Sequence, residues 1–308
     1  MALSLISWNI NGSNFSEIED YVNEILALTN VDIFIFFEGA NIVDNSLSLL
    51  KYEAVTLHNV DSSKKAIKIF IKSGINYEIS NLNNFSEIVS KDINIKSINS
   101  LTQAFVVEEV NVIRRIERIS TLETFQVKNI TNSKSFLLAA IHMPSKLYQD
   151  DFDQLQSAIN YKKSIIGKAA EFKNKIIITG DFNMAPYEKG MTEPMGFFTF
   201  QNENQVRDKH EYIFGRQLSF YNPCWRLMGD YNIKKRTNRT GGSFFYSTTK
   251  KRKLMTWHLI DQVIMTKNMV TDFDQDSLEI VETDLLLKDL IDSSKKIDHL
   301  PLHFTLKF

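Results

Sequence analysis

The stretch "KIIITGDFNM", Lys175–Met184, decides how the chain is read. Ile176 to Ile178 and Thr179 form an unbroken apolar and β-branched run, the pattern of a strand covered on both faces. Gly180 breaks the run, and Asp181-Phe182-Asn183 follow. A carboxylate and an amide so close together do not help to build a core. At a strand end they sit where the loops of packed α/β sheets gather polar groups around a crevice.

The same feature recurs along the chain. "SWNING" ends a hydrophobic run on Asn9, "FIFFEG" reaches Glu38 and "LAAIHMP" reaches His142. The closing "IDHLPLHF" opens on Asp298 and His299, and "HLIDQVIM" sets Asp261 inside an otherwise apolar strand. Each residue alone has a structural reading. An Asn after a strand forms turns, and a lone imidazole such as His58, His210 or His303 is ordinarily a satisfied side chain. Asp261 is harder to place this way, because a buried acid is expensive unless paired. A single site that processes a polyanion accounts for all of them together.

Around these strand ends the sequence predicts a helix in "FSEIEDYVNEILALTN", with Ile18, Tyr21, Val22, Ile25 and Leu28 on one face. Ser16 reads as its N-cap, with Glu19 completing a capping box. A second helical segment is predicted at about 149–173, and the Asn- and Ser-rich 80–100 as a polar insertion. Early strand–helix–strand units and later hairpin-like strands point to two packed mixed sheets with helices outside, as one domain over 1–308.

Lys and Arg number 36 against 37 Asp and Glu, so attraction to phosphate has to come from local clusters. Two are present: Lys234, Lys235, Arg236 with Arg239, and Lys250, Lys251, Arg252, Lys253. They flank the aromatic stretch Phe244, Phe245, Tyr246, a candidate stacking surface. The single Cys224 excludes an intramolecular disulfide and suits a reducing compartment. The start lacks a basic n-region, and "IFIFF" is too short to span a bilayer. A cytoplasmic protein is expected, with no membrane association and no obligate protein partner.

Glu and Asp with an Asn oxygen are hard ligands suited to Mg2+ or Mn2+. Histidines with carboxylate partners can act on phosphoryl oxygens or a leaving group. Zinc-spaced Cys/His clusters, P-loops, GxGxxG and GxSxG are absent from the sequence.

In their order along the chain, Asn9, Glu38, His142, Asp181 with Asn183, Asp261 and Asp298-His299 resemble the motifs of the endonuclease/exonuclease/phosphatase superfamily, the deoxyribonuclease-I-like metal-dependent phosphodiesterases. The resemblance runs over essentially the whole chain. It implies an α/β, four-layer sandwich of two packed mixed β-sheets flanked by helices. It further implies Glu38 as principal metal ligand, with Asn9 beside it and Asp298 near the metal. Asp181 would orient or deprotonate water, with Asn183 on the phosphate. His299 would contact the scissile phosphate, held by Asp261. His142 matches the second histidine of the deoxyribonuclease branch, with Glu117 where that branch orients it. Two positions depart from the pattern: Phe37 stands where Gln is usual, and Leu259 where Arg is usual. The expected activity is hydrolysis of nucleic acid, DNA first and RNA second. The alternatives are a phosphatase or phosphodiesterase of lipid or inositol phosphates, or a catalytically silent nucleic-acid-binding protein.

Overall fold

The computed structural model describes residues 2–55, 66–82, 121–147, 149–212, 215–232, 237–247, 255–292 and 295–307. Glu117, Lys234, Lys235, Arg236, Lys250, Lys251, Arg252 and Lys253 lie outside them, as does most of the Asn- and Ser-rich 80–100.

In chain order the main strands are β1 (Leu3–Asn9), β2 (Ile33–Phe37), β3 (Tyr52–Ala54), β4 (Lys68–Lys72) and β5 (Tyr77–Asn81). They continue with β6 (Thr121–Asn129), β7 (Ser135–His142), β8 (Ile176–Asp181), β9 (Thr199–Phe200) and β10 (Phe220–Tyr221). The last are β11 (Phe244–Ser247), β12 (Met255–His258), β13 (Asp261–Met265), β14 (Phe273–Ile280) and β15 (Leu302–Leu306). One six-stranded sheet has the order β14-β15-β1-β2-β4-β3, and a seven-stranded one the order β5-β6-β7-β8-β13-β10-β9. Both are mixed: β1 runs parallel to β2 and antiparallel to β15, and β8 runs parallel to β7 and antiparallel to β13. The helices are α1 (Phe15–Leu28), α2 (Asp151–Ile166), α3 (Lys189–Thr192), α4 (Lys267–Val270) and α5 (Asp284–Ile291). Two mixed sheets with flanking helices form the expected α/β sandwich.

Side-chain alternation assigns each strand face. In β8, Ile177 joins the core that holds residues of both sheets, while Ile176 and Ile178 join the core beneath α2. Asp181 falls on the same face as Ile177. The registered neighbours agree, with Val263 and Met265 of β13 and Leu138 and Ala140 of β7 also in the inter-sheet core. On β1, Ile6 and Trp8 lie on the face toward α1, where Trp8 meets Tyr21 edge-on at 6.3 Å. Leu3, Leu5 and Asn9 face the other way. Each phenylalanine or isoleucine fully buried in these layers stabilises by about 1.5–3 kcal/mol over exposure.

Two local expectations change. The α1 cap is Asn14, whose side chain accepts from the Glu17 amide at 3.1 Å while Glu17 accepts from the Asn14 amide at 2.9 Å. Asn14 is already extended with a side-chain acceptor in place, so the capping box forms two residues earlier than predicted and Ser16 lies within the helix. The long segment at 149–173 divides into α2, capped by Asp150, and a short 3-10 turn at Ala169–Phe172. Gly167 follows the last residue of α2.

Candidate active site

The parity that fills the inter-sheet core also builds the site. Asn9 ends β1, His142 ends β7, Asp181 ends β8, and Asp261 begins the antiparallel β13. In register, Asp181 sits directly beside both His142 and Asp261, so all three side chains leave the seven-stranded sheet on its inner face. Asn9 leaves the inner face of the other sheet, and its Nδ2 donates to Asp181 Oδ2 across the gap at 3.1 Å.

Glu38 reaches this cleft by breaking the alternation. Phe37 points inward, so an extended residue 38 would point away. Glu38 instead has φ 55, a left-handed conformation that a non-glycine residue adopts at a cost of about 1 kcal/mol. Its Oε1 lies 3.6 Å from His142 Nε2, and the same nitrogen lies 3.7 Å from Asp181 Oδ2.

His299 is fixed from several sides. Its Nδ1 lies 2.8 Å from Asp261 Oδ2, while its Nε2 lies 3.8 Å from Asp181 Oδ2 and 3.9 Å from Asp298 Oδ1. Trp8 Nε1 donates to the His299 carbonyl at 3.0 Å. The first residue of β11 bridges His299, and the Phe244 ring lies 4.7 Å from the imidazole between centroids. The Phe245 amide donates to the Asp298 carbonyl, the Leu300 amide donates to the Ser243 carbonyl, and the Asp261 amide donates to Ser243 Oγ. The β11 segment thus ties the final strand to Asp261. The sequence marks Phe244 as an aromatic for stacking but not for its contact with His299, and neither Trp8 nor Ser243 stands out in it. Adjacency of Trp8 to Asn9 was the only signal in the sequence for the former.

Burial sets the electrostatics. Asp181 is pushed up to about 7 by desolvation, with Asp261 adding to the shift and His299 opposing it. Desolvation also acts against a charged His299, but hydrogen-bonded Asp261, with Asp181 and Asp298, outweighs it and raises the imidazole to about 10. Asp298 is raised by burial, against the pull of His299.

Asn183, also left-handed with φ 49, donates its amide to Asp181 Oδ1 at 2.9 Å and its Nδ2 to the Met143 carbonyl at 2.8 Å. The Asn183 side-chain amide therefore holds the loop against Met143. Arg239 directs Nε to the Gly229 carbonyl at 2.8 Å and Nη2 to the Arg226 carbonyl at 2.7 Å. Phe245 is buried, whereas Tyr246 is 41% exposed.

The departures are also explained by packing. Phe37 is fully buried and stands against Gly180. At Gly180, with φ +143, a Cβ would collide with the Ile141 carbonyl oxygen and come within 2.8 Å of Phe37 Cζ. Phe37 thus fills the floor between the sheets below the polar groups of the cleft. Leu259 is likewise buried, in the core cluster that holds residues of both sheets.

The donor set fits a hard divalent cation. Four carboxylates, Glu38, Asp181, Asp261 and Asp298, converge with two imidazoles, leaving excess negative charge. Ligand atoms of Asp181, Asp261 and His299 lie within 4.8 Å of one another. Asp261 Oδ1 and Asp298 Oδ1 are buried with no hydrogen-bond partner among the described residues. Oxygen-rich, thiol-free sites of this kind suit Mg2+ or Mn2+.

The α/β sandwich is similar in fold to solved structures that include endonuclease/exonuclease/phosphatase family proteins. Solved structures of that fold match along the whole chain. The human Nocturnin catalytic domain superposes with a TM-score of 0.53 at 12% identity, covering 99% of this chain and 94% of that one. D. rerio TDP2, complexed with single strand DNA product, gives 0.53 at 13%, covering 100% and 99%. Bacteroides thetaiotaomicron mannosyl-6-phosphatase gives 0.52 at 14%, covering 99% and 100%. No family model and no curated protein matches the sequence.

Proposed function

We propose that this protein is a divalent-metal-dependent phosphodiesterase that hydrolyses nucleic acid, DNA in preference to RNA. The observation that carries the reading is the convergence of Asn9, Glu38, His142, Asp181 and the Asp261–His299 pair in one cleft. Glu38, Asn9 and Asp298 would hold the ion. When bound, Mg2+ or Mn2+ neutralises phosphoryl charge and makes water more acidic.

The chain's own groups supply the rest. Asp181, pushed up to about 7, accepts the proton of the attacking water near neutral pH. His299 is held cationic by Asp261 and donates from Nε2 to a non-bridging oxygen. His142, between Glu38 and Asp181, gives the leaving oxygen its proton. The Asn183 side chain contacts the phosphate. The basic side chains at 234–236, Arg239 and 250–253 would follow the phosphate backbone, and exposed Tyr246 beside Phe244 offers a stacking surface. The DNA product in the TDP2 structure supports this substrate. A second reading, phosphomonoester hydrolysis, is favoured by the equally good match to mannosyl-6-phosphatase.

The test is incubation of the protein and its Asp181→Ala variant with labelled single- and double-stranded DNA and RNA, and with sugar, lipid and inositol phosphates, in Mg2+, Mn2+ or chelator. Metal-dependent strand cleavage lost in the variant supports the nuclease reading. Release of inorganic phosphate or a phosphorylated headgroup without strand cleavage selects the alternative enzyme class. Nucleic-acid binding without turnover overturns the enzyme reading.

A further inference from the structure

At the end of β8 opposite Asp181, Asn174 and the second half of α2 border a cavity of about 530 Å3. Ile159, Ile166 and Leu218 give it apolar walls, and Lys162, Lys163 and Lys209 give it positive charge. Among the described residues Asp208 is the one carboxylate that lines it; its Oδ2 accepts a 3.4 Å hydrogen bond from Asn268, and its Oδ1 has no partner there. Among the described residues none of the three lysines makes an ion pair.

Lys162 is the unusual member. It is only 3% exposed, although lysine is almost never fully buried unless paired. Its ammonium has three donors. One reaches the Pro194 carbonyl at 3.0 Å, and the nitrogen also lies 5.5 Å from the centre of the Phe198 ring. Among the described residues no carboxylate pairs with its charge, and Pro194 is its one hydrogen-bond acceptor.

We propose that this cavity is a second ligand site for an amphiphilic organic anion, one carboxylate or phosphate on a short apolar body, with Lys162 as its fixed charge. The volume lies within the usual range for small-molecule sites. The apolar walls take the body, Lys162 binds the head, and Lys163 and Lys209 add attraction at longer range. Burial pushes the Lys162 ammonium down to about 8, a penalty that a bound anion would relieve.

Titration calorimetry of the full chain in chelator, with sodium octanoate at about pH 8 in two buffers of different ionisation enthalpy, tests this. Acetate supplies the head alone and 1-octanol the body alone. Octyl phosphate, run on the Asp181→Ala protein, supplies the other head. The expected result is one octanoate site with proton uptake, about tenfold or more weaker for acetate and for Lys162→Met. Octyl phosphate should bind the same site and compete with octanoate. Octanol binding as tightly as octanoate, no octanoate binding, or unchanged affinity in Lys162→Met overturns the proposal. If Lys162→Met does not fold, NMR of lysines labelled at Cε replaces it. A Lys162 titration moved to higher pH by octanoate supports the site, and an unmoved one overturns it.

Discussion

His299 is held between two unlike acids: its Nδ1 is hydrogen-bonded to Asp261 at 2.8 Å, while its Nε2 faces Asp181 at 3.8 Å. The pairing fixes the ring and keeps it charged. Asp261→Asn preserves the shape but removes the charge. The His299 titration should fall from about 10 toward 6.5, and cleavage near pH 7.5 should drop by about 10²–10⁴-fold. An NMR titration of His299 together with a pH–rate profile checks both. An unmoved His299 titration would show that Asp261 does not set its charge.

Asp181 and Glu38 should separate activity from stability. Either alanine variant should lower hydrolysis by about 10³-fold or more, and chelator should do the same to the parent protein. Asp181→Ala should nevertheless unfold no earlier than the parent above about pH 7, because burial beside Asp261 already disfavours the Asp181 carboxylate there. Thermal melts at about pH 8, beside activity assays, read this out. Full activity in either variant would remove that residue from the mechanism.

Phe37 is an apolar residue on the floor of a polar site. The substitution Phe37→Gln places an amide among buried carbon atoms next to Gly180. The expected loss is about 2–4 kcal/mol in denaturant unfolding, without a gain in turnover. Stability equal to the parent would mean that the floor has polar partners for the amide.

The site was legible where side-chain parity could be followed. In "KIIITGDFNM", Ile177 and Asp181 share a face, so an inner apolar stripe that ends on an acid already locates a cleft. The same holds for Leu138, Ala140 and His142 in β7. Glu38 escapes this logic, since its reach into the cleft depends on a left-handed backbone that Phe37-Glu38-Gly39 does not announce. The true α1 cap was misplaced because Asn14 and Ser16 have equal capping chemistry, and only the path of the preceding chain chooses between them. The roles of Ser243 and Phe244 depend on contacts with residues 298–300, far away in sequence.

Gly180 connects strand geometry with the site. Gly180→Ala sets a Cβ against the Ile141 carbonyl and the Phe37 ring at a φ of +143. The β7–β8 pairing that aligns His142 with Asp181 would have to open. A loss above about 4 kcal/mol, or failure to accumulate folded protein, is expected. Gly12→Ala is the control: it has a φ of +70 but nothing within 4 Å, so only backbone strain of about 1–2 kcal/mol applies. Chemical denaturation compares the two, and equal losses would count against the steric account.

Lys162 should make stability depend on alkaline pH in a defined direction. Its folded pKa, about 8, lies below the ordinary 10.5, so the folded state holds fewer protons between these values. Stability from this group therefore rises as pH increases from about 8 to 10.5, and the penalty is complete below about 8. Lys162→Met removes the buried charge together with its bond to Pro194. A net gain of about 1–2 kcal/mol is expected at pH 7, shrinking toward zero or below near pH 10.5. Denaturant unfolding of both proteins across that range gives the difference. A gap that stays constant with pH would show that the Lys162 ammonium is not desolvated in the folded chain.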